Sequence, residues 1–503
     1  MDPLELEAAV QYYRAALPPG ELEEFPVRGM DLVACAVWSI TLHPSPGSAG
    51  AGGHGYGATE LEARVGALGE LTEVTRSAAT LAPRPRRMAS YAQLRRSEGP
   101  DRVTDPRTLC LEAGSAYDQD RPLSWWPMTR LSDGDSTWVP AELVASTDAD
   151  VPEGPPPGGW LTTIISNGLG AGAGSEGRER AVGHALLELL QRDGNGLTFR
   201  AMDTGVVIDL SGVQDPDVLA LLERCRTHGV QVMVKLASTE FGIPNVYAVG
   251  AGADEANPVM VTACGEAAHP DRERAVRKAL LEYLAARTRK AFTHGPLAAV
   301  AAAAPEGYLD RYLASTPLDR SAEEARALSA MVAWTAYDAA GLRVLLAGTV
   351  LSRRSTVALA DLPTASPVGS RALLDEVVAR LGAGLPGSEV LVADFPSADG
   401  SVHAVKAVVP GLEVETMSYG RIGERGVRRL LARDDDRSGL VAVGGRAPGP
   451  GWARVHLTPA AEQRLGGPAW LDRPRVDEVV GELYPLYREP GRHAAPLAAA
   501  ASR

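Results

Sequence analysis

The feature that most constrains this chain is a glycine-rich segment, SNGLGAGAG (166–174), followed shortly by RERAVGHALLELLQRDG (178–194). The composition of the first segment predicts a loop. The second is predicted to be a helix, because apolar residues recur along it at three- and four-residue spacing. These apolar residues are Val182, Ala185, Leu186, Leu189 and Leu190. The sequence therefore predicts a flexible loop that is followed by a helix with one apolar face and one polar face.

The polar face of this helix carries an acid. Glu188 and Gln191 are three residues apart, and His184 lies one turn before Glu188, so the three share a face. Backbone N–H groups of a loop can bind an anion and carboxylate oxygens can bind a metal, which together suit a phosphate–magnesium site. An alternative is a His-x-x-x-Glu metal site at His184 and Glu188, which would need further ligands.

The same design occurs twice more in the chain. GHGYGATELEARVGALGELTEV (53–74) begins with glycines and continues as a predicted helix that carries Glu70 and Glu73. DRERAVRKALLEYLAARTRKAF (271–292) is also predicted to be a helix, with Glu282 outside its apolar face. One such acid alone is typical of a solvated helix surface. Three acid-bearing helices in one order favour a shared site.

Together these segments resemble the YcaO family. The family pattern has a Ser…Glu-x-x-Glu-Arg helix, a Gly-x-Ala-x-Gly loop followed by an Ala-Leu-x-Glu-x-x-Glu-Arg-Asp helix, and a Glu-x-x-x-Glu-x-x-Gln-x-Arg helix. The segment VVPGLEVETMSYGRIGERG (408–426) resembles the family's Val-Pro-Gly-Leu-Glu stretch and its following Gly-x-Arg. The order and spacing agree over roughly residues 51–430.

The resemblance implies a fold, two cofactors and a set of site residues. The fold is α/β, YcaO-like, with mixed sheets and three motif helices that converge on a nucleotide pocket. The cofactors are ATP and Mg²⁺. The implied magnesium ligands are Glu70, Glu73, Glu188 and Glu282. The implied nucleotide-binding residues are these four acids with Gln191, Arg192, Arg287 and Arg425.

YcaO-like proteins use ATP and magnesium to activate a backbone amide oxygen of a ribosomally made precursor peptide. A thiol, hydroxyl, sulfide or amine then replaces that oxygen, giving an azoline, a thioamide or an amidine. The resemblance thus implies an ATP-dependent, cyclodehydratase-type enzyme. Azoline-forming members commonly end in Pro-x-Pro-x-Pro, whereas this chain ends in LAAAASR. Amidine or thioamide formation is therefore favoured over azoline formation.

Several motif positions differ from the family pattern. The residues Gly66, Val74, Tyr56, Gln191, Lys278 and Ala285 stand where Ser, Arg, Lys, Glu, Glu and Gln are usual. Fewer carboxylates weaken magnesium binding, because hard cations are held by charged oxygen. Two interpretations remain open: a divergent enzyme, or a non-catalytic YcaO-like subunit that binds precursor peptide for a partner enzyme.

Charge and hydropathy limit the partners. The net charge of −13 disfavours nucleic acid, because proteins that bind phosphodiester backbones are usually basic. The first residues show no signal-peptide pattern, and no apolar run reaches the length of a membrane span, which predicts a cytoplasmic protein with no membrane partner. The expected partners are the precursor peptide and a protein of the same pathway, and a homo-oligomer is compatible with the sequence. The four cysteines are far apart and are predicted to be buried, reduced thiols.

The predicted organisation has three parts. They are an N-terminal helix and strand that lead into the core (1–50), a YcaO-like catalytic domain (51–430) and a C-terminal tail of short elements (431–503). In the first part we expect a helix over 3–16 and a strand over 31–42, and the glycines of 45–57 predict a loop.

The middle of the chain alternates between strand and helix patterns. Strands are predicted at 205–212, 230–238, 244–252 and 258–266, with a helix at 215–229. The first three of these elements in chain order would form a β-α-β unit if their strands were parallel. Residues 168–174 could also be taken for a dinucleotide-binding fingerprint, but their glycine spacing is too loose for one.

Overall fold

The computed structural model describes residues 3–33, 35–45, 48, 50–196, 200–252, 255, 257–315, 324–414 and 420–501. Residues 415–419 of the predicted 408–426 motif lie outside this set. Within the described residues, helices and several sheets alternate, and the predicted α/β class is confirmed. None of the helices in these ranges combines the length and the apolar character that a membrane span requires.

Strands and helices alternate along the chain. The strands are β1 (Glu21–Pro26), β2 (Ala36–His43), β3 (Ala51–Gly57), β4 (Arg87–Ser90), β5 (Pro122–Arg130), β6 (Ser136–Pro140), β7 (Leu169–Ala173), β8 (Val206–Asp209), β9 (Val230–Ser238), β10 (Asn245–Gly252), β11 (Cys264–Ala268), β12 (Ser355–Ala358), β13 (Leu391–Pro396), β14 (Val402–Val408), β15 (Val441–Val443), β16 (Trp452–Arg454) and β17 (Ala469–Asp472). The helices are α1 (Pro3–Ala16), α2 (Glu60–Leu81), α3 (Tyr91–Glu98), α4 (Ala141–Val144), α5 (Gly177–Asn195), α6 (Pro216–Thr227), α7 (Arg272–His294), α8 (Leu297–Ala303), α9 (Tyr308–Ser315), α10 (Ala325–Thr335), α11 (Ala339–Leu346), α12 (Ser370–Gly384), α13 (Glu424–Leu431), α14 (Pro459–Leu465), α15 (Arg473–Val480) and α16 (Ala494–Ala501).

The chain divides into two compact units, each built from separate stretches of sequence. Unit 1 comprises Met1–Thr72, Phe199–Pro367 and Glu482–Arg503. Unit 2 comprises Glu73–Thr198 and Val368–Gly481. The division falls within α2, between Thr72 and Glu73. The predicted domain boundaries at 50/51 and 430/431 stay a prediction.

Unit 1 contains two sheets among its described residues. One has the order β1-β2-β3 and is antiparallel throughout. The other has the order β11-β10-β9-β8-β12, antiparallel except for the parallel β8–β12 pair. Helix α7 packs on the second sheet and supplies buried apolar residues to the main core of the unit. These include Val276, Ala279, Leu280, Tyr283 and Leu284.

Unit 2 is organised around a sheet of order β4-β5-β13-β14-β7, with β6 paired to β5. Helix α5 packs against β7 and β14. A smaller sheet has the order β15-β17-β16. All five apolar residues predicted for the inner face of α5 are buried, so the helical periodicity located its core face correctly.

Two glycine-rich segments that were predicted to be loops contain strands. Residues 51–57 form β3 and pair with β2, and residues 169–173 form β7 and pair with β14. The glycine-rich composition predicted loops, whereas these glycines allow the strands to pack closely on helices α2 and α5. The strand predicted over 31–42 starts only at Ala36. The strand predicted over 258–266 is a 3₁₀ turn over Pro258–Thr262 followed by β11.

The predicted β-α-β unit is not parallel. Strands β8 and β9, which flank α6, pair antiparallel at Val207 and Lys235. Strand β7 likewise pairs antiparallel with β14. Residues 168–174 therefore lack the parallel setting that a dinucleotide-binding fingerprint requires.

Candidate functional site

Strand β3 presents alternating faces, as any strand does. Gly53, Gly55 and Gly57 share the face toward α2. A Cβ atom at Gly55 would lie 2.0 Å from the carbonyl oxygen of Ala63 and 2.1 Å from the amide nitrogen of Ala67. Only a residue without a side chain allows the strand to approach the helix backbone so closely. The glycines of β3 thus allow the strand to pack closely on α2.

The first acid of the α2 motif rests against β3. The backbone N–H of His54 donates to Oε2 of Glu70, with an N···O distance of 3.1 Å. A Cβ atom at Gly53 would lie 2.5 Å from this same oxygen. The strand therefore both makes room for the Glu70 carboxylate and orients it.

The opposite face of β3 reaches α7. The Tyr56 hydroxyl donates to Oε2 of Glu282 at 3.1 Å. Burial, with the negative charges of Glu282 and Glu70, raises the pKa of the Tyr56 hydroxyl well above its ordinary value. One strand of unit 1 thus contacts two of the predicted magnesium ligands, through a backbone N–H on one side and a phenol on the other.

The same arrangement is found in unit 2. Gly168, which precedes β7, and Gly170 and Gly172 within it lie on the α5 side of the strand. A Cβ atom at Gly170 would be 2.1 Å from the carbonyl oxygen of Ala181, and one at Gly172 would be 1.9 Å from that of Gly177. Strand β7 therefore packs on α5 as β3 packs on α2.

The acid of α5 is oriented by the strand as well. Oε2 of Glu188 accepts from the backbone N–H groups of Gly168 at 2.8 Å and Leu169 at 3.3 Å. Carboxylates that accept backbone N–H groups are held in one rotamer by charge-assisted hydrogen bonds. Glu188 and Glu70 thus occupy corresponding places in two strand–helix pairs.

A buried lysine near Glu188 was missed by the sequence reasoning. Lys406 of β14 is fully buried, and its ammonium donates to Ser146 Oγ at 3.2 Å and to the Ile165 carbonyl. Burial lowers the pKa of Lys406 to about 7, against the opposing influence of the negative charges of Glu188 and Asp150. The available signal was a lysine inside an apolar strand pattern, in a chain with four lysines in all.

A glycine of β11 packs against the backbone of α7, the third motif helix. A Cβ atom at Gly265 of β11 would lie 2.0 Å from the amide nitrogen of Tyr283 and 2.2 Å from the carbonyl oxygen of Ala279. Glu282 is the neighbour of Tyr283 on α7. Each of the three acid-bearing helices therefore follows a strand whose glycine lies directly against the helix backbone.

The predicted phosphate contact Arg287 is engaged by protein carboxylates. Its Nε donates to Asp31 Oδ2 at 2.7 Å, and its Nη2 donates to Glu255 Oε2 at 2.8 Å. The side chains of all three residues are buried. A buried guanidinium between two carboxylates fixes α7 to its surroundings. Phosphate binding by Arg287 stays a prediction.

The remaining predicted nucleotide-binding residues lie in unit 2. Arg425 donates to both oxygens of Asp193, at 2.7 Å and 2.6 Å. Gln191 is buried on α5, and Arg192 beside it is half-buried. Glu73 follows Glu70 by three residues on α2. That these residues share one pocket with the acids of unit 1 stays a prediction.

The donor chemistry suits magnesium, although a preformed metal cage is not found. Within the ranges that the structure describes, no three His, Cys, Asp or Glu side chains gather as a metal site. Magnesium is usually held by one or two carboxylates together with phosphates and water. Oriented single acids such as Glu70, Glu188 and Glu282 fit that requirement. The alternative site at His184 gains no further ligand among the described residues.

A family model identifies the class of protein. The model described as YcaO cyclodehydratase, ATP- and Mg²⁺-binding, matches residues 54–413. This match covers more than half of the chain, and the chain belongs to the YcaO family. The predicted family and the predicted cofactors, ATP and Mg²⁺, are confirmed.

Solved structures and one curated relative are similar to this chain. A heterocyclase in complex with substrate and cofactor matches at TM-score 0.60 and 18% identity, over 86% of this chain and 55% of that chain. YcaO from Methanopyrus kandleri, bound with AMPPCP and Mg²⁺, matches at TM-score 0.54 and 20% identity, over 84% and 94%. At these identities the likeness shows the fold.

An uncharacterized protein from Methanothermobacter thermautotrophicus is 30% identical over 241 residues, which are 48% of this chain and 58% of that protein. The chain thus spans little more than half the length of this relative and of the heterocyclase.

Proposed function

We propose that this protein uses ATP and Mg²⁺ to activate a backbone amide of a ribosomally made precursor peptide. The supporting observation is the pair of oriented acids, Glu70 and Glu188. Glu70 accepts from a backbone N–H of β3, and Glu188 accepts from the first residue of β7 and the residue before it. Each strand packs through glycine on the helix that carries the acid. A preorganised carboxylate costs less entropy on metal binding than a mobile one.

The residue roles follow from donor chemistry. Glu70, Glu73, Glu188 and Glu282 would hold magnesium at the nucleotide phosphates, where the bound cation supplies charge neutralisation. The ion pairs of Arg287 and Arg425 support a role in fixing the helices that carry the acids. Gln191 and Arg192 would complete the nucleotide site from the end of α5.

The reaction is a phosphoryl transfer to an amide oxygen. A nucleophile adds to the amide carbon, and the resulting oxyanion attacks the γ-phosphorus of ATP, releasing ADP. The carbon–oxygen bond then breaks and the oxygen leaves as inorganic phosphate, since phosphate is a far better leaving group than oxide. Catalysis of this type depends on positioning and on charge neutralisation.

Nucleotide binding is the first test. Calorimetric titration with a non-hydrolysable ATP analogue, with and without Mg²⁺, should show binding that is much stronger with the metal than without it. Glu188→Ala and Glu282→Ala should each weaken it by roughly tenfold or more, because each removes an anionic oxygen. Glu179→Ala, nine residues earlier on α5 and outside the motif, is the matched control and should bind normally.

The competing function is a non-catalytic subunit that binds precursor peptide for a partner enzyme. The substitutions at Gly66, Gln191, Lys278 and Ala285 favour this alternative. It becomes the better interpretation if the wild-type protein shows no nucleotide binding up to millimolar concentration.

The finer proposal is that the product is an amidine or a thioamide. A precursor peptide whose amide carries heavy oxygen should transfer that oxygen to inorganic phosphate, which tests the reaction class. The mass and fragmentation of the peptide product then distinguish an amidine, a thioamide and an azoline. Release of unlabelled phosphate with unchanged peptide would contradict amide activation.

A further inference from the structure

Strand β3 is held rigidly where it meets α7. Its glycine face is packed on the α2 backbone at Gly55. Beside β3, the residue that precedes its neighbour β2 also contacts α7: the thiol of Cys35 donates to the Leu281 carbonyl at 3.3 Å, immediately beside Glu282. Arg287, further along α7, is locked by two buried carboxylates. The contact between Tyr56 and Glu282 is therefore made between two fixed backbones.

The Tyr56 hydroxyl donates to one oxygen of the Glu282 carboxylate. A carboxylate has about four lone-pair positions on its two oxygens, and the phenol occupies one of them on Oε2. This hydrogen bond restricts rotation of the carboxylate plane.

The phenol is a donor that brings no charge. An ammonium group at this position would cancel the negative charge of Glu282. A neutral donor orients the carboxylate and preserves the full charge for a cation.

We propose that Tyr56 is a positioning residue that orients the Glu282 carboxylate for the magnesium ion of a bound nucleotide, an inference that rests on the proposed function. Groups that hydrogen-bond to metal ligands commonly raise metal affinity by about 10- to 100-fold. Tyr56 acts in this way through Glu282 and does not itself touch the metal.

The test is Tyr56→Phe, which removes one hydroxyl and keeps the ring. The measurement is Mn²⁺ affinity, by electron paramagnetic resonance, at a fixed concentration of the ATP analogue. We expect the variant to bind Mn²⁺ about tenfold more weakly or worse. Metal-free binding of the analogue should stay within twofold of wild type. This split separates loss of orientation from a general disturbance of the pocket.

Tyr312→Phe is the matched control, because it removes the same atom from a tyrosine whose hydroxyl also donates a hydrogen bond, to the Arg492 carbonyl at 2.7 Å. It should leave Mn²⁺ affinity unchanged. In a Glu282→Gln background, Tyr56→Phe should have no further effect, since the group through which it acts is gone. Tyr56→His keeps a ring N–H donor, so it should bind Mn²⁺ more tightly than Tyr56→Phe does. It replaces the Phe variant in the test if that variant does not fold.

The outcomes separate this inference from the proposed function. If the wild-type protein binds Mn²⁺ with the nucleotide and Tyr56→Phe binds it equally well, the role of Tyr56 is wrong and the proposed function stands. An undiminished effect of Tyr56→Phe in the Glu282→Gln background would also overturn it. If the wild-type protein binds no metal–nucleotide, the proposed function fails, and the inference fails with it.

Discussion

The β3–α2 pair of unit 1 and the β7–α5 pair of unit 2 are built in the same way. In both, a strand glycine lies against a helix carbonyl oxygen and the amide nitrogen four residues later, and the acid follows that amide by three residues. The paired positions are Gly55 and Gly170, Ala63 and Ala181, Ala67 and Ala185, and Glu70 and Glu188. The same packing therefore places the acid at the same position along each helix, relative to the glycine of the strand.

The two pairs differ in what surrounds the acid. In the first pair the strand residue Tyr56 binds a second acid, Glu282, and the α2 motif continues to Glu73. In unit 2 the buried Lys406 lies near Glu188, and Gln191 takes the place that corresponds to Glu73. The glycine contact is repeated because a side chain at that position would collide with the helix backbone. The residues around the acid differ because several kinds of side chain can lie beside a carboxylate.

The largest expected effect comes from adding a methyl group to the strand glycine that packs against the helix backbone in each pair. Gly55→Ala and Gly170→Ala should each destabilise the protein by about 3 kcal/mol or more, because strand and helix must separate. The free energy of unfolding in urea measures this. Gly69→Ala on α2 and Gly183→Ala on α5 meet open space and should stabilise by up to ~1 kcal/mol. A stable Gly55→Ala protein would break the structural equivalence.

Removal of the equivalent charges comes next. Glu70→Gln and Glu188→Gln keep an oxygen for the strand N–H groups, and their stability should change little. Each should weaken magnesium-dependent nucleotide binding by roughly tenfold, because the anionic ligand is lost. Glu62→Gln on α2 is a control outside the motif. If only one of the two variants affects binding, the equivalence is one of packing and does not extend to function.

Restoring the family acids tests the difference between the pairs. The double change Gln191→Glu with Lys278→Glu should lower turnover about tenfold, because a second carboxylate at the buried position 191 disturbs a site adapted to an amide. Steady-state ATP hydrolysis with precursor peptide measures this. A double variant that gains turnover from an inactive parent would show a degraded site, contrary to the proposed enzyme.

The smallest expected effect is that of Lys278→Ala. Lys278 is half-buried on α7 near His269, and no carboxylate partner is found for it among the described residues. Its removal should change stability and nucleotide affinity by no more than about 0.5 kcal/mol, as surface substitutions usually do. A strong loss of ATP binding would instead assign its ammonium group to a phosphate.

Periodicity predicted the helices well and the glycine strands poorly. Helix α1 matches the predicted 3–16, and α5 and α7 lie within two residues of the predicted bounds, because their apolar faces face a core. Strands β3 and β7 were missed since glycine has no side chain that could reveal a period of two. Their identity depends on the partner helix, which sequence spacing alone does not show.

The acids of the candidate site were proposed from the sequence, whereas the contacts that orient them were not. Glu70, Glu188 and Glu282 were proposed from their place in the motifs. The N–H groups that orient Glu70 and Glu188, the phenol of Tyr56 and the buried Lys406 were not identified, because each contact joins residues far apart in the sequence. The antiparallel register of β8 and β9 was missed for the same reason.

The C-terminal end of α7 contacts a residue that the ribosome makes much later than the helix. Lys290 and His294 both bind the carboxylate of Glu489, which lies 199 and 195 residues further along the chain. At about 5–20 residues per second, the ribosome delivers this partner roughly 10–40 s after the helix itself has been made. Until then the end of α7 lacks the carboxylate partner of two side chains that are buried in the folded protein. Unit 2, whose last stretch ends at Gly481, has its full sequence earlier than unit 1, which contains the helix that carries Glu282.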